Sequence, residues 1–146
     1  MARRWAYPHC DLGEPNLPDG SMVRRPVVTV APLASTQVLL AVVDSGSPIS
    51  VADARLFDRL GIDTGNDEPL YEVPLTVGGG FGRIPVYAVE LLLKPPASST
   101  EPPLAWTLHL GARTGWHLPF AVLLGQRGWF DQFPTTIDGH STTVEL

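Results

Sequence analysis

Apolar β-branched residues cluster in short runs along this 146-residue chain, and the spacing within those runs predicts strands more often than helices. Val27, Val28, Val30 and Leu33 form one run, and Val38 to Val43 form a second. Ala34-Ser35-Thr36 between them suits a hairpin connection. The second run is nearly unbroken, as expected of a strand buried on both faces, and it stops abruptly at Asp44-Ser45-Gly46-Ser47. A short helix is expected next, with Ser50 as cap, Asp53 three residues on, Leu56, Phe57 and Leu60 on one face and Gly61 as the stop. Tyr71-Val73-Leu75-Val77 alternates with polar and proline positions as a period-2 strand. Gly78 to Gly82 turn the chain, and residues 84–93 return. Pro74 and Pro85 cannot donate ladder hydrogen bonds, which favours a hairpin projecting from the sheet.

Beyond that hairpin, residues 94–105 read as an exposed proline-rich loop, and strands are expected at 105–110 and 117–124. A helical turn is expected over 126–133, where Trp129, Phe130 and Phe133 share a face. The chain closes with a hairpin over 135–144, turning at Asp138-Gly139. Residues 1–22 look different: Pro8, Gly13, Pro15, Pro18 and Gly20 interrupt every period, so they are expected to form an N-terminal arm, loose or draped over a domain spanning 23–146. The sum is an all-β chain with two short helices.

Composition agrees with that sum and narrows the function. Fourteen glycines and fifteen prolines exceed the average share and argue against a helical bundle. A 44% hydrophobic content supports a core, and 146 residues are enough for one domain but not two. No apolar run reaches ~20 residues, so no membrane partner is expected. Met1-Ala2-Arg3-Arg4-Trp5 is followed by no apolar stretch, so no secretory leader is expected. Cys10 stands alone, which suits a reducing, cytoplasmic setting. A net charge of −5 disfavours nucleic acid as a partner.

The chemistry concentrates at Asp44-Ser45-Gly46. A carboxylate at the end of a buried strand loses water, which raises its pKa unless something compensates. Gly46 clears space for close approach, and Ser45 and Ser47 offer hydroxyls to hold the carboxylate or the loop. Taken alone, the tripeptide also fits an ordinary Asx turn closing a strand. Its neighbours supply the context. An apolar strand (Leu39 to Val43), Asp44-Ser45-Gly46-Ser47, a glycine-rich hairpin (Val77-Gly78-Gly79-Gly80-Phe81-Gly82-Arg83-Ile84) and Val122-Leu123-Leu124-Gly125 before Trp129-Phe130-Asp131-Gln132-Phe133 follow in order. Over roughly residues 24–140 this resembles the retropepsin-like (retroviral-type) aspartic proteases.

The resemblance implies an acid-protease closed barrel with a flap hairpin, and an aspartic endopeptidase acting as a homodimer on polypeptide substrates. It implies that Asp44, Ser45 and Gly46 are catalytic. Asp44 would pair with its symmetry mate and Ser45 would link the two loops. Ser47 would hydrogen-bond the carboxylate, and Gly78, Gly79, Gly80, Phe81 and Gly82 would close over substrate. It implies no cofactor and no metal. The sequence departs from the retroviral pattern twice. Pro48-Ile49 stands where an acidic residue is usual, and Gln126 follows Gly125 where Arg is usual, with Arg127 one position later. The usual dimer brace is therefore missing. A protease-like fold kept as a non-catalytic dimerisation or peptide-binding module is the alternative.

Other candidates are weaker. Asp63-Thr64-Gly65 repeats the motif but follows a helix end and reads as a turn. His9, His109, His117 and His140 have no short ligand spacing with one another or with Cys10, and His9-Cys10 lacks an activating context. Gly78–Gly82 precedes no Gly-Lys-Ser/Thr and no helix, so it does not read as a phosphate cradle. Trp116, Trp129 and Phe130 read as core or dimer contacts rather than a base-stacking platform.

Overall fold

The two valine-rich runs pair antiparallel: β4 (Val27–Pro32) lies on β5 (Leu39–Val43), with Val28 opposite Ala41 and Val30 opposite Leu39. The computed structural model describes residues 3–14, 17–77 and 80–146. On its other side β5 pairs in parallel with β10 (Val122–Leu124), which is antiparallel to β6 (Ser50–Asp53). β6 runs parallel to β9 (Leu104–Arg113), and β9 is antiparallel to the 15-residue β8 (Gly80–Lys94). The far end of β8 returns to β4, with Val30 opposite Leu93, so six strands close a barrel. The near end of β8 pairs with β7 (Tyr71–Val77) as a hairpin outside that ring, and the two pairings of β8 meet at Val86. Pro74 lies on the outer strand of this hairpin, where a missing donor faces no neighbour.

Alternation along the strands makes two apolar layers. Ala41 and Val43 join the barrel interior with Val28, Val30, Val122 and Leu124. Val42 points the other way, into a second cluster with Val27, Val51, Ile84, Trp116 and Phe120. That two-sided burial explains the unbroken apolar run of β5. Trp106, Trp129 and Phe133 plug one side of the interior with ring centroids 4.7–5.8 Å apart.

Several expected elements are corrected. Ser50 caps no helix: residues 50–53 form β6, held between β10 and β9, and α1 is a single turn, Leu56–Arg59. Gly61 does end it, at φ +75°, with the Ile62 N–H donating back to the Phe57 carbonyl. The second helix is absent. Residues 126–133 form successive turns, because Gly128 at φ +104° cannot continue a helix, although the Phe133 N–H still reaches the Trp129 carbonyl at 2.8 Å. Residues 117–121 stay outside the sheet. There the Trp116 ring meets Phe120 edge-on, and its Nε1–H donates to the Phe120 carbonyl, closing a loop.

The N-terminal arm is regular at one end. β1 (Arg4–Pro8) pairs antiparallel with β12 (Ser141–Glu145), which also pairs with β11 (Thr135–Ile137) across the expected Asp138-Gly139 turn. Trp5 and Tyr7 point inward and are 2% and 3% exposed. The Trp5 indole donates to Glu101, and the Tyr7 hydroxyl donates to the Lys94 carbonyl at 2.6 Å. Further on, β2 (Cys10–Asp11) pairs with β3 (Arg24–Arg25). Trp5→Ala should therefore cost about 3–5 kcal/mol in urea unfolding, the range for an aromatic core truncation; a loss below ~1 kcal/mol would mark the strand as dispensable. Burial also pushes the Tyr7 phenol well above its usual range. The folded state holds that proton more tightly than the unfolded chain, so the Tyr7 contribution to stability is complete below about pH 10 and is lost as pH rises beyond it. Tyr7→Phe should flatten that alkaline decline in thermal melts.

Candidate active site

Asp44 is the first residue past β5, and its N–H donates to the Leu124 carbonyl of β10 at 2.9 Å, which fixes it at the seam of two parallel strands. Its Oδ1 accepts the Gly46 N–H at 2.9 Å, and its carbonyl accepts the Ser47 N–H at 3.2 Å. A Cβ at position 46 would lie 3.2 Å from that same oxygen, so glycine keeps the turn tight. Asp44, Ser45 and Gly46 are all exposed in the single chain, so the dehydration expected of the carboxylate is not present within one chain.

Ser47 does not hold the carboxylate. Its hydroxyl donates to the Ile49 carbonyl at 2.7 Å, closing the bend that leads into β6. The bend lies hard against the second apolar-apolar-Gly segment. A Cβ on Gly125 would sit 2.3 Å from the Ile49 oxygen and 2.5 Å from the Ser47 oxygen, so only glycine fits. Backbone bonds then stitch the segments: the Gln126 N–H donates to Ser47 at 2.8 Å and the Arg127 N–H to Pro48 at 3.2 Å. The Gln126 side-chain amide donates to the Ser45 carbonyl at 2.7 Å. Ser50, 1% exposed, completes the seam: its Oγ donates to the Arg127 carbonyl at 2.7 Å and accepts the Gly125 N–H at 3.0 Å.

The second apolar cluster forms a wall beside this loop. Val42 precedes Asp44 by two residues, Ile49 and Val51 follow it, and Leu123 precedes Gly125. Val73 and Ile84 extend the wall onto the β7–β8 hairpin. Gly111 of β9 lets the hairpin settle, since a Cβ there would meet Ile84 at 2.8 Å and Val51 at 3.1 Å. At the base of the hairpin the Tyr71 hydroxyl and His109 Nδ1 are 2.7 Å apart, and the Arg127 guanidinium lies 5.6 Å from the centre of the Tyr71 ring. The backbone pairs Thr76 with Phe81 and Val77 with Gly80. Gly82 has open space around its Cβ direction, and Gly78 and Gly79 lie outside the described residues.

The second Asp-Thr-Gly shows how little the local turn discriminates. Asp63 Oδ1 accepts the Gly65 N–H at 2.9 Å, the same bond that Asp44 makes. Hydrogen bonds from the Asn66 side chain and the Gly65 backbone hold the Asp63 carboxyl below its usual range. No strand seam or apolar wall accompanies it, and it is a turn after α1 as expected. Among the described residues no group of three or more His, Cys, Asp and Glu side chains is placed to hold a metal.

Sequence reasoning missed Ser50, Gln126 and the Tyr71–His109 pair. A serine flanked by Ile49 and Val51 inside a strand was the available signal for the first, because a buried hydroxyl needs partners. The partners of Gln126 and Tyr71, 81 and 38 residues away, leave no local pattern.

Comparison with solved structures places this geometry. The chain is similar to a retropepsin-like aspartic protease from Rickettsia conorii, with a TM-score of 0.56 and 11% identity over 99% of this chain and 94% of that one. No protein-family model and no curated protein matches the sequence. The similarity is one of fold: the chain adopts the retropepsin-like closed barrel. Ser50→Ala should cost about 1–3 kcal/mol in chemical denaturation, because it leaves the buried Gly125 N–H and the Arg127 carbonyl short of a partner. Ser47→Ala should cost less; equal losses would contradict the assigned role of Ser50.

Proposed function

We propose that this chain is one subunit of a homodimeric aspartic endopeptidase that hydrolyses peptide bonds in extended polypeptides. The observation that carries the reading is the position of Asp44: an exposed carboxylate at the β5–β10 seam of a retropepsin-like barrel, rigidly backed and bordered by an apolar wall. One chain supplies one such carboxylate. Water activation of this type takes two, so the second comes from a symmetry mate across a two-fold axis.

The chemistry follows from that pairing. Two carboxyl groups brought together share one proton, because like charges at that range cannot both ionise. The ionised Asp44 takes a proton from a water that attacks the scissile carbonyl carbon. The protonated Asp44 of the other subunit donates to the carbonyl oxygen as the tetrahedral intermediate forms. Exposure of Asp44, Ser45 and Gly46 leaves these residues free to meet their counterparts, and the dimer then supplies the dehydration a single chain lacks. Ser45 from each subunit would tie the paired loops, while Gln126 holds the Ser45 carbonyl from behind. Substrate would lie extended between the Asp44 loops and the β7–β8 hairpins, adding a strand to their edges. The partly exposed edge of the second cluster, Ile49, Leu123 and Val73, favours hydrophobic side chains next to the scissile bond.

Asp44→Asn removes the proton acceptor and donor while keeping the side chain's shape. Cleavage of casein should fall by about a hundredfold or more, with the sedimentation profile unchanged. Undiminished cleavage would overturn the mechanism. Peptide binding without any Asp44-dependent turnover would instead favour a peptide-binding module on the same fold.

A further inference from the structure

We infer that Arg127 forms a subsite for an acidic side chain of the substrate, at the rim where the Asp44 loop meets the base of the β7–β8 hairpin; this rests on the protease reading for its substrate. The backbone of Arg127 is fixed to the loop at both ends, its N–H on the Pro48 carbonyl at 3.2 Å and its carbonyl on the Ser50 hydroxyl at 2.7 Å. Its side chain leaves the loop and reaches the hairpin, with the guanidinium 5.6 Å from the centre of the Tyr71 ring. The ring is in turn held by the bond between its hydroxyl and His109 Nδ1 at 2.7 Å. A guanidinium held over an aromatic face by a cation–π contact is biased toward that position, and its N–H groups make no hydrogen bond among the described residues that would keep them from a carboxylate.

Nothing described in the chain neutralises that cation. Arg127 is exposed and makes no salt bridge among the described residues. The two carboxylates near it in sequence or on the hairpin are engaged elsewhere. Asp131 Oδ1 accepts the Gly128 N–H at 3.0 Å, and Glu72, next to Tyr71, pairs with Arg83 at 3.3 Å on the hairpin. In a chain of net charge −5, a cation over the Tyr71 ring, two residues along β7 from Val73 of the second cluster and without a carboxylate partner among the described residues, is suited to receive an acidic side chain. Side chains of an extended peptide alternate between faces, so a strand whose apolar residues meet the partly exposed Ile49 and Leu123 at the edge of the second cluster can bring a Glu or Asp to Arg127 a few residues from the scissile bond. A two-fold dimer repeats the subsite, so the preference should occur on both sides of that bond.

The test uses full-length Asp44→Asn protein, which holds peptide without turnover, and pairs of fluorescein-labelled peptides. Each pair shares an apolar centre and differs by Glu against Gln at one flanking position, scanned outward on each side. Fluorescence anisotropy at low salt should show about fivefold tighter binding of the Glu peptide at one position per side, shrinking as salt is raised. In Asp44→Asn/Arg127→Gln the ratio should fall to about one, and Arg127→Lys should restore part of it. Equal binding of the two peptides at every position, a ratio unmoved by Arg127→Gln, or no peptide binding at all would overturn the inference. Casein cleavage by the unmutated chain judges the protease reading separately. Acid-selective binding without cleavage keeps the subsite and removes the enzyme; cleavage without acid selectivity does the reverse.

Discussion

The contact between the Gly125 backbone and the Ser47–Ile49 bend is the constraint on which the candidate site depends. β5 and β10 run parallel and end together, and the chain that leaves β5 must turn beneath the end of β10 to become β6. It has room only because position 125 carries no Cβ, which would fall 2.3 Å from a carbonyl oxygen. Close approach brings buried polar groups together, and these need partners. Ser50 supplies them with one hydroxyl used as both donor and acceptor, and the Gln126 amide secures the Ser45 carbonyl. Asp44 thus rests on a backing set by backbone geometry rather than by long, mobile side chains.

The same strands that enclose the barrel also build the wall outside it. Ala41 and Val43 fill the interior, while Val42 between them faces the second cluster with Val51 and Ile84. The barrel interior and the layer that seats the hairpin are therefore coupled through alternate positions on the same backbone. A shift of one residue in the β5 register would exchange the two sets and carry Asp44 off the seam. The hairpin belongs to this arrangement because β8 is long enough to serve both as barrel strand and as hairpin arm.

Much of this was legible in the chain itself. The unbroken apolar run before Asp44, the glycines before Ile84 and the Val-Leu-Leu-Gly segment carry their meaning in composition and order, and the observed strands follow them. The misreadings share a physical origin. Ser50 looked like a helix cap because serine at the edge of an apolar pattern usually is one, but the strand's two neighbours claimed it. Trp129, Phe130 and Phe133 have helical spacing, yet Gly128 adopts a positive φ that no helix accommodates. Trp5 and Tyr7 alternate as a strand should, but only the distant β12 makes that alternation pay off in burial, and the prolines and glycines that follow masked it. Side-chain pairings such as Gln126 with Ser45 span 81 residues and leave no local trace.

The central claim is that each chain holds half of a catalytic site. Mixing unmutated chain with an equal amount of Asp44→Asn chain under conditions of subunit exchange tests it directly. Random pairing leaves only about half of the unmutated chains with an unmutated partner. Proteolytic activity per unmutated chain should therefore fall to about half after exchange, and further with more of the variant. Activity that stays constant per unmutated chain at every mixing ratio would mean that one chain carries a complete site, and would contradict the account.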